Sequence, residues 1–446
     1  MARFSMGLAF ALVLVGGIAS AAPASRATAG GCAVGTSLPS PPRNRPHYLL
    51  RVRVERGLMA ADGGLTVSFT PSLPTDRLVF RLWPNSPFYA RRGASLAVSA
   101  VSSGGHRLPT ARPDPTTLVV HRALAAGEGI TVSMKWKLHL PRPGGLQLHG
   151  GRSARLLSFF PLLAWDGTGW ATERPIRADS FWPTSPTADF DVHVSLPPRV
   201  RALASGKRVG VGHWRARAIR DFALAVGSFQ VVSTTVKAPR PVRVTVGLER
   251  GSAFSVRDFL AATTRSLRFY AKRFGDYPWS TYSLAVMKDF RGLNGIAYPT
   301  LGFLGDGSLV LVPHETAHQW FYSLVGNDQS RDPWLSEGLA TWAQTGPENS
   351  LSQMLATPIP AGVRNRIGEP ISFWQSRDFE TIRLGLYVQT VQALAGLGEA
   401  AKVDCALRQF VVSGAYRTAV PGDLLAALQP FFPDAEQQLR ARGAHF

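Results

Sequence analysis

The chain of 446 residues changes its hydrophobic period once, and this change restricts most strongly the folds that it can adopt. From Tyr48 to about Glu249, short runs alternate apolar and polar residues between Gly, Pro and Asp, as β-strands with one buried face do. From Ser252 the apolar residues recur every three or four positions, which predicts helices, and Gly275 ends the first of them. The sequence therefore predicts an α+β chain, with an antiparallel β domain before an α-rich domain.

The two periods also set the predicted domain boundaries. We expect the β domain to span residues 47–250 and the α-rich domain residues 251–446. Residues 22–46 are rich in Ala, Gly, Pro and Ser and predict a flexible leader. Each domain is long enough to bury a core of its own.

Residues 1–21 have the pattern of a secretory signal peptide, with a positive residue, an apolar run and small residues up to Ala21. We expect cleavage near Ala21 and a secreted or extracytoplasmic protein. An uncleaved membrane anchor is the alternative, although the apolar run is short for a bilayer. Export permits a disulfide, and Cys32 and Cys405 are the only two cysteines. The sequence leaves open whether they pair.

The charge of the chain limits its partners. Lys and Arg number 49 against 29 Asp and Glu, so the formal net charge is +20. Such an excess favours weak attraction to an anionic cell surface, and an Arg-rich solvated surface explains it equally well. No basic run is interleaved with aromatic residues, so we predict no nucleic-acid partner. The sequence does not specify an oligomeric state.

One short motif carries residues suited to catalysis. Residues 311–320 read LVPHETAHQW, in which His314 and His318 are four apart and would lie on one face of a helix. Two imidazoles at this spacing can bind one Zn²⁺, and Glu315 between them can act as a general base. We expect the helix to run over Pro313–Val325, because proline is tolerated in a first turn.

A third metal ligand is expected downstream, because catalytic zinc takes three protein ligands and keeps one position for water. Residues 331–342 read RDPWLSEGLATW, where Asp332 would cap a second helix that begins at Pro333. That helix carries Glu337, and eighteen residues separate it from His318. Asp332 could instead hydrogen-bond a metal-binding imidazole.

The segments HETAHQWFY and WLSEGLA resemble the gluzincin metallopeptidases of the aminopeptidase N and leukotriene hydrolase type. The pattern of that family is HExxH, eighteen residues and then Glu. The resemblance implies a saddle-like β domain followed by a thermolysin-like catalytic domain. It also implies one Zn²⁺ held by His314, His318 and Glu337, with Glu315 as the base and a peptide or protein as the substrate.

The chain departs from the family on the strand that binds substrate. Residues 294–299 read NGIAYP, and the family's glutamate, which binds the substrate's free amino group, falls on Ala297. Alanine cannot supply a charge-assisted hydrogen bond to an ammonium group, so we expect altered recognition of the substrate's amino terminus. The strand through Gly295, Ile296 and Ala297 could still pair with an extended peptide.

The family's transition-state tyrosine has its best match in Tyr387, fifty residues past Glu337. The pattern places it at the start of a helix. A phenol is a suitable donor for an oxyanion that develops beside a metal, and a core aromatic is the alternative role. The other eight histidines show no ligand spacing and are interpreted as surface or core residues.

These residues together predict a secreted zinc metallopeptidase, aminopeptidase-like but with altered recognition of the amino terminus. A non-catalytic peptide-binding protein that retains the fold is the alternative, because the strand and the tyrosine both depart from the family pattern. The preferred side chain, the choice between exopeptidase and endopeptidase action, and the natural substrate are left open.

Overall fold

The computed structural model describes residues 32–446, except 143, 144, 146, 173–184, 250, 251, 253, 289 and 291–293. The predicted signal peptide and the first part of the leader lie outside the described residues. None of the helices in the described ranges has the length and the apolar composition that a membrane span requires.

The first half forms short β-strands, as its alternating pattern predicts. In the described ranges these are β1 His47–Val54, β2 Ala60–Phe69, β3 Thr75–Arg81, β4 Ser95–Ser103, β5 His106–Arg107, β6 Thr110–Asp114, β7 Thr117–Leu124, β8 Ile130–His139, β9 Leu148–His149, β10 Ala154–Leu156, β11 Leu162–Leu163, β12 Ala188–Ser195, β13 Arg201–Ala204, β14 Lys207–Gly210, β15 His213–Ile219 and β16 Leu224–Gly227.

Hydrogen bonds order the described strands into an eight-stranded sheet, β14-β15-β12-β1-β2-β8-β4-β5, and two four-stranded sheets, β13-β16-β10-β9 and β11-β3-β7-β6. Burial alternates along β1, β8 and β12, so each of these strands turns one face to the core and one to solvent. Among the described strands of this half the pairing is antiparallel, except between β1 and β12, which run parallel. That pair departs from the predicted all-antiparallel arrangement.

A further sheet connects the two halves of the chain. Its described strands are β17 Phe229–Lys237, β18 Pro241–Glu249, β19 Thr281–Met287, β20 Gly295–Tyr298 and β21 Leu301–Gly305, in the order β17-β18-β19-β21-β20. Strands β18 and β19 pair in parallel, with a helix in the connection between them. The predicted domain boundary at residue 250 thus runs through this sheet.

Helices dominate the rest of the chain, which confirms the α+β class. The α-helices of the described residues are α1 Pro87–Ala90, α2 Val256–Phe274, α3 Val312–Ala317, α4 Trp334–Glu348, α5 Leu351–Ala356, α6 Ile371–Trp374, α7 Phe379–Ile382, α8 Gln389–Gly396, α9 Ala400–Gly414, α10 Pro421–Leu428 and α11 Ala435–Arg440. A π-helical turn, Arg383–Val388, joins α7 to α8. Short strands β22 Gly326–Asn327 and β23 Thr418–Ala419 pair in parallel.

Helix α2 shows how local sequence sets an element's limits. Ser255 and Asp258 form a capping box at its start, and it ends before Gly275, as the sequence predicts. Its buried face includes Phe259 and Tyr270. The Tyr270 hydroxyl donates a hydrogen bond to the carbonyl oxygen of Pro313, in the first turn of α3 (3.0 Å). The long amphipathic helix therefore supports the short one that carries the HETAH motif.

Cys32 and Cys405 form a disulfide, which settles the pairing that the sequence left open. It ties the described part of the leader to helix α9. The guanidinium of Arg408 on that helix also donates to the carbonyl of Val34 (3.1 Å). The described leader residues Cys32 and Val34 are thus held against the folded chain, while the flexibility of residues 22–46 as a whole stays a prediction.

A buried carboxyl lies on the segment between β15 and β16. Asp221 accepts hydrogen bonds from the Ser158 hydroxyl (2.6 Å) and from the Phe222 backbone N–H (2.6 Å). Burial outweighs both bonds, since it disfavours the charged form, and raises the pKa of Asp221 to about 7.

We expect this carboxyl to make stability depend on pH. Between about pH 4 and pH 7 the folded protein holds a proton that the unfolded chain has released, so the free energy of unfolding should fall as pH rises, by up to about 4 kcal/mol. Urea unfolding at a series of pH values measures this fall. Asp221→Asn should remove most of it, and an unchanged slope in that variant would assign the effect to another group.

Candidate active site

Helix α3 carries the HETAH motif and spans Val312–Ala317. It is shorter than the predicted Pro313–Val325, because the backbone after α3 tightens to hydrogen bonds three residues apart. Gly326, the residue after the predicted end of the helix, belongs to strand β22. The N–H of His318 still donates to the carbonyl of His314 (3.3 Å), so the two histidines keep their one-turn spacing.

Helix α4 carries the predicted third ligand and spans Trp334–Glu348. Pro333 occupies the capping position in place of Asp332, and no side chain caps the helix. Directly after the predicted ligand, a Cβ at Gly338 would overlap the side chain of Thr390 on α8. The glycine therefore allows α4 and α8 to pack closely, which sets the depth at which the carboxylate enters the site.

The structure brings His314, His318 and Glu337 together. The two Nε2 atoms are 3.1 Å apart, and Glu337 Oε2 lies 3.4 Å from that of His314 and 3.5 Å from that of His318. Three ligands at tetrahedral angles around a zinc ion stand about 3.3 Å apart. Two imidazoles and one carboxylate at these separations therefore suit a single Zn²⁺ by donor type and by spacing.

Hydrogen bonds orient both imidazoles for metal binding. His314 Nδ1 lies 3.1 Å from Gln344 Oε1, and His318 Nδ1 lies 3.0 Å from the carbonyl oxygen of Phe321. Because both partners are acceptors, each Nδ1 donates and each Nε2 is left with its lone pair toward the centre. Asp332 bonds to neither ring, so the expectation that it orients an imidazole is wrong.

Gln344 is a functional residue that the sequence reasoning missed. Its side-chain nitrogen donates to Glu348 Oε1 (2.8 Å), which fixes the amide with its oxygen toward His314. A signal existed in the sequence, because Gln344 follows Glu337 by seven positions, or two helical turns, on the same face of α4.

Burial and charge act differently on the two carboxyls of the site. Burial alone would raise the pKa of Glu337, but the imidazoles of His318 and His314 outweigh it and hold that pKa well below its usual range. For Glu315, burial prevails over the same imidazoles and raises the pKa. Glu337 is therefore suited to bind a cation and Glu315 to exchange a proton.

The carboxyl of Glu315 lies near enough to the three metal ligands to interact with their charges. Its Oε2 has no hydrogen-bond partner within the part of the chain that the structure describes. Strand β20 passes close by, because a Cβ at Gly295 would overlap this carboxyl. An unpaired, buried carboxyl in contact with a glycine is free to accept a proton from a small molecule.

Tyr387 lies in the π-helical turn Arg383–Val388. The sequence predicts that a helix begins at this tyrosine, but the continuous helical segment already begins at Phe379. Its ring stacks on the imidazole of His314 with centroids 6.0 Å apart and planes 15° from parallel. Burial and the Glu337 carboxylate raise the pKa of Tyr387 well above its ordinary value. The phenol therefore remains a proton donor beside the metal ligands.

Strand β20 lies at the edge of its sheet, as far as the structure describes that sheet, and pairs antiparallel with β21. Side chains alternate across a strand, so Gly295 and Ala297 share the face toward α3, while Ile296 and Tyr298 share the other. Ile296 packs on a core cluster away from the site. The methyl group of Ala297 thus occupies the position from which a longer side chain would approach the ligands.

Comparisons with curated proteins find local similarity to aminopeptidases. Aminopeptidase RNPEPL1 of Homo sapiens is 28% identical over 194 residues, which cover 37% of this chain and 26% of that protein. Aminopeptidase B of Rattus norvegicus is 38% identical over 80 residues, covering 16% and 12%. The chain thus matches about a quarter or less of the length of these relatives. No family model matches the chain.

The fold is shared over nearly the whole chain. The M1 zinc metallopeptidase of Deinococcus radiodurans superposes with a TM-score of 0.67 and 21% identity, covering 92% of this chain and 96% of that one. A mutant of that enzyme, solved with a Tyr-Ser-Ala substrate, gives the same TM-score at 22% identity, covering 92% and 98%. The chain is thus locally similar to aminopeptidases and shares the fold of the M1 zinc metallopeptidases.

Proposed function

We propose that this chain is a secreted, zinc-dependent metallopeptidase that hydrolyses peptide bonds and does not require a free amino terminus on its substrate. The observation that carries the proposal is the convergence of His314, His318 and Glu337 next to the buried, unpaired carboxyl of Glu315. The aminopeptidase relatives and the substrate-bound M1 neighbour support a peptide as the substrate.

The chain's own residues divide the chemistry among them. A zinc ion held by His314, His318 and Glu337 would supply an acidified water and a polarised carbonyl group. Glu315 accepts a proton from the attacking water and passes it to the leaving amine nitrogen, so it ends the cycle unchanged. The Tyr387 phenol donates a hydrogen bond to the carbonyl oxygen as negative charge develops there.

Tyr387→Phe tests the role of the phenol. Loss of one preorganised donor should lower kcat by about 10²–10³-fold and leave KM nearly unchanged, because the bond strengthens only in the transition state. Steady-state kinetics on a fluorogenic peptide measure both constants. If Tyr387 only packs the core, kcat stays within a few-fold of the parent while thermal stability falls.

Recognition of the substrate's amino terminus follows from strand β20. At Ala297 the face toward α3 bears only a methyl group, which offers neither charge nor hydrogen bond to an ammonium group. The edge of β20 can still pair with the backbone of an extended peptide. Backbone pairing does not depend on whether the peptide has a free amine.

A peptide and its N-acetylated counterpart provide the experiment. We expect the chain to cleave both with similar kcat/KM. Ala297→Glu should shift the ratio toward the free amine by about 10–100-fold, since a hydrogen bond to a charged group contributes roughly 1.5–3 kcal/mol. Ala297→Gln, of the same size but neutral, is the matched control. Strong preference of the parent for the free amine would overturn this part of the proposal.

A non-catalytic peptide-binding protein is the other outcome that the same measurements can reveal. Bound zinc and peptide without chelator-sensitive hydrolysis would establish it. The presence of all three ligands together with the base argues for an enzyme, because binding alone gives no reason to retain a buried, unpaired Glu315.

Secretion is part of the proposal and rests on residues 1–21, supported by the Cys32–Cys405 disulfide, which is typical of oxidising compartments. Amino-terminal sequencing of the exported protein tests it, with a new terminus expected near Ala21. An intact first residue on a membrane-bound product would favour the uncleaved anchor. Weak attraction to an anionic cell surface and the absence of a nucleic-acid partner stay predictions.

A further inference from the structure

A second group of metal-binding side chains lies on the exposed face of the eight-stranded sheet. Asp191 and His193 alternate with buried residues on β12, and His213 lies on the neighbouring strand β15. The antiparallel register places His193 directly opposite His213, and Asp191 opposite Arg215. Cross-strand partners on one face stand close enough for their side chains to share a ligand.

The three side chains meet at one carboxylate oxygen. Asp191 Oδ1 lies 2.8 Å from His213 Nε2 and 3.2 Å from His193 Nε2. The other oxygen, Oδ2, accepts from Nε of Arg215 at 2.8 Å, which holds the carboxylate in this orientation. The imidazole centroids are 4.2 Å apart with planes 16° from parallel. Both Nε2 atoms thus face the same point.

We propose that Asp191, His193 and His213 form a second, peripheral site for a divalent transition-metal ion of the zinc type. The donor set is the same as in the active site, two imidazole Nε2 atoms and one carboxylate oxygen, and all three atoms lie within 4.8 Å of one another. Such a set selects Zn²⁺, Cu²⁺ or Ni²⁺ over Ca²⁺ or Mg²⁺, since nitrogen ligands suit the former group.

Access to this peripheral site is open from solvent. The side chain of His193 is 48% exposed, against 21% for His213 and 19% for Asp191. An arriving ion needs no opening of the sheet, and a water can complete its coordination. Coordination requires each ring to carry its proton on Nδ1, so that both Nε2 lone pairs face the ion.

Neighbouring positive charge makes the peripheral site weaker than the active site. Arg215 is bound to Asp191, and Arg51 lies beside His193 in the adjacent strand β1. Both guanidinium groups repel a cation, and the exposed ligands are less preorganised than the buried ones. We therefore expect binding in two steps, with the active site filling first.

Zinc titration of the purified full chain tests the proposal. To separate the two sites, the titration uses a variant in which His314→Ala and His318→Ala remove the first. This variant should still bind one Zn²⁺, and further substitution of His193→Gln with His213→Gln should weaken that binding by more than about tenfold. Calorimetry measures both, and circular dichroism confirms the fold. The result does not depend on peptidase activity.

His139→Gln is the matched control, because His139 is an exposed histidine at the end of β8 in the same sheet. Added to the variant that lacks His314 and His318, it should leave zinc binding at the peripheral site unchanged. The proposal would be overturned if the variant lacking His314 and His318 bound no zinc, or bound it equally well with and without His193 and His213. If, in addition, His193→Gln with His213→Gln lowered the melting temperature, the cluster would have a purely structural hydrogen-bonding role.

Discussion

Glu315→Gln is expected to lower kcat for peptide hydrolysis by about 10²–10⁴-fold while zinc remains bound at one ion per active site. The amide has nearly the shape of the carboxyl but cannot accept the proton of the attacking water. Because the Glu315 Oε2 has no hydrogen-bond partner among the described residues, the change should cost little folding free energy.

Two measurements make this prediction specific. Zinc content should equal that of the parent, since Glu315 is not one of the three converging ligands. Glu348→Gln is the matched control, because that carboxyl accepts a hydrogen bond from Gln344, which in turn contacts a metal ligand. It should change kcat far less. A Glu315→Gln variant with the parent rate would remove Glu315 from the role of base.

Glu337→Ala is expected to abolish zinc binding at the active site and, with it, hydrolysis. The two imidazoles that remain lie 3.1 Å apart and supply only two of the three protein ligands that a catalytic zinc needs. Gln344→Ala should act in the same direction but less, lowering zinc affinity by about 10–100-fold through the freed His314 ring.

Competition with a coloured chelator measures both affinities, and thermal unfolding without added metal checks the fold. The order parent, Gln344→Ala, Glu337→Ala should hold for zinc affinity and for activity alike. If Glu337→Ala still retained zinc at the active site, the carboxylate would not be a ligand and the site would need another third donor.

Some features of the site were predictable because they depend on local geometry alone. A four-residue spacing places His314 and His318 on one face of a helical turn, even though α3 is shorter than predicted. The limits of α3 and the cap of α4 were less predictable, because helix ends depend on competing turns. The α+β class followed from the change of hydrophobic period at residue 252. A strand with one buried face has a period of two residues, whereas a helix with one buried face has a period of about 3.6.

Other assignments required knowledge of long-range packing, which no single segment carries. Asp332 is close in sequence to Glu337, yet the imidazole partners are Gln344 and the Phe321 carbonyl. Likewise, residue 250 marks a change of period but not a break between sheets, because β18 pairs with β19. Hydrogen bonding between distant segments overrides the local pattern in both cases.

The residue pattern was enough to predict the fold class, the histidine pair and the carboxylates that could accompany it, since short spacings translate directly into helix faces. Long-range packing was needed to show that Gly295 of strand β20 lies beside Glu315, and that His193 meets His213 across twenty residues of chain. Strand register and sheet order bring such residues together, and neither is encoded in the period of a single segment.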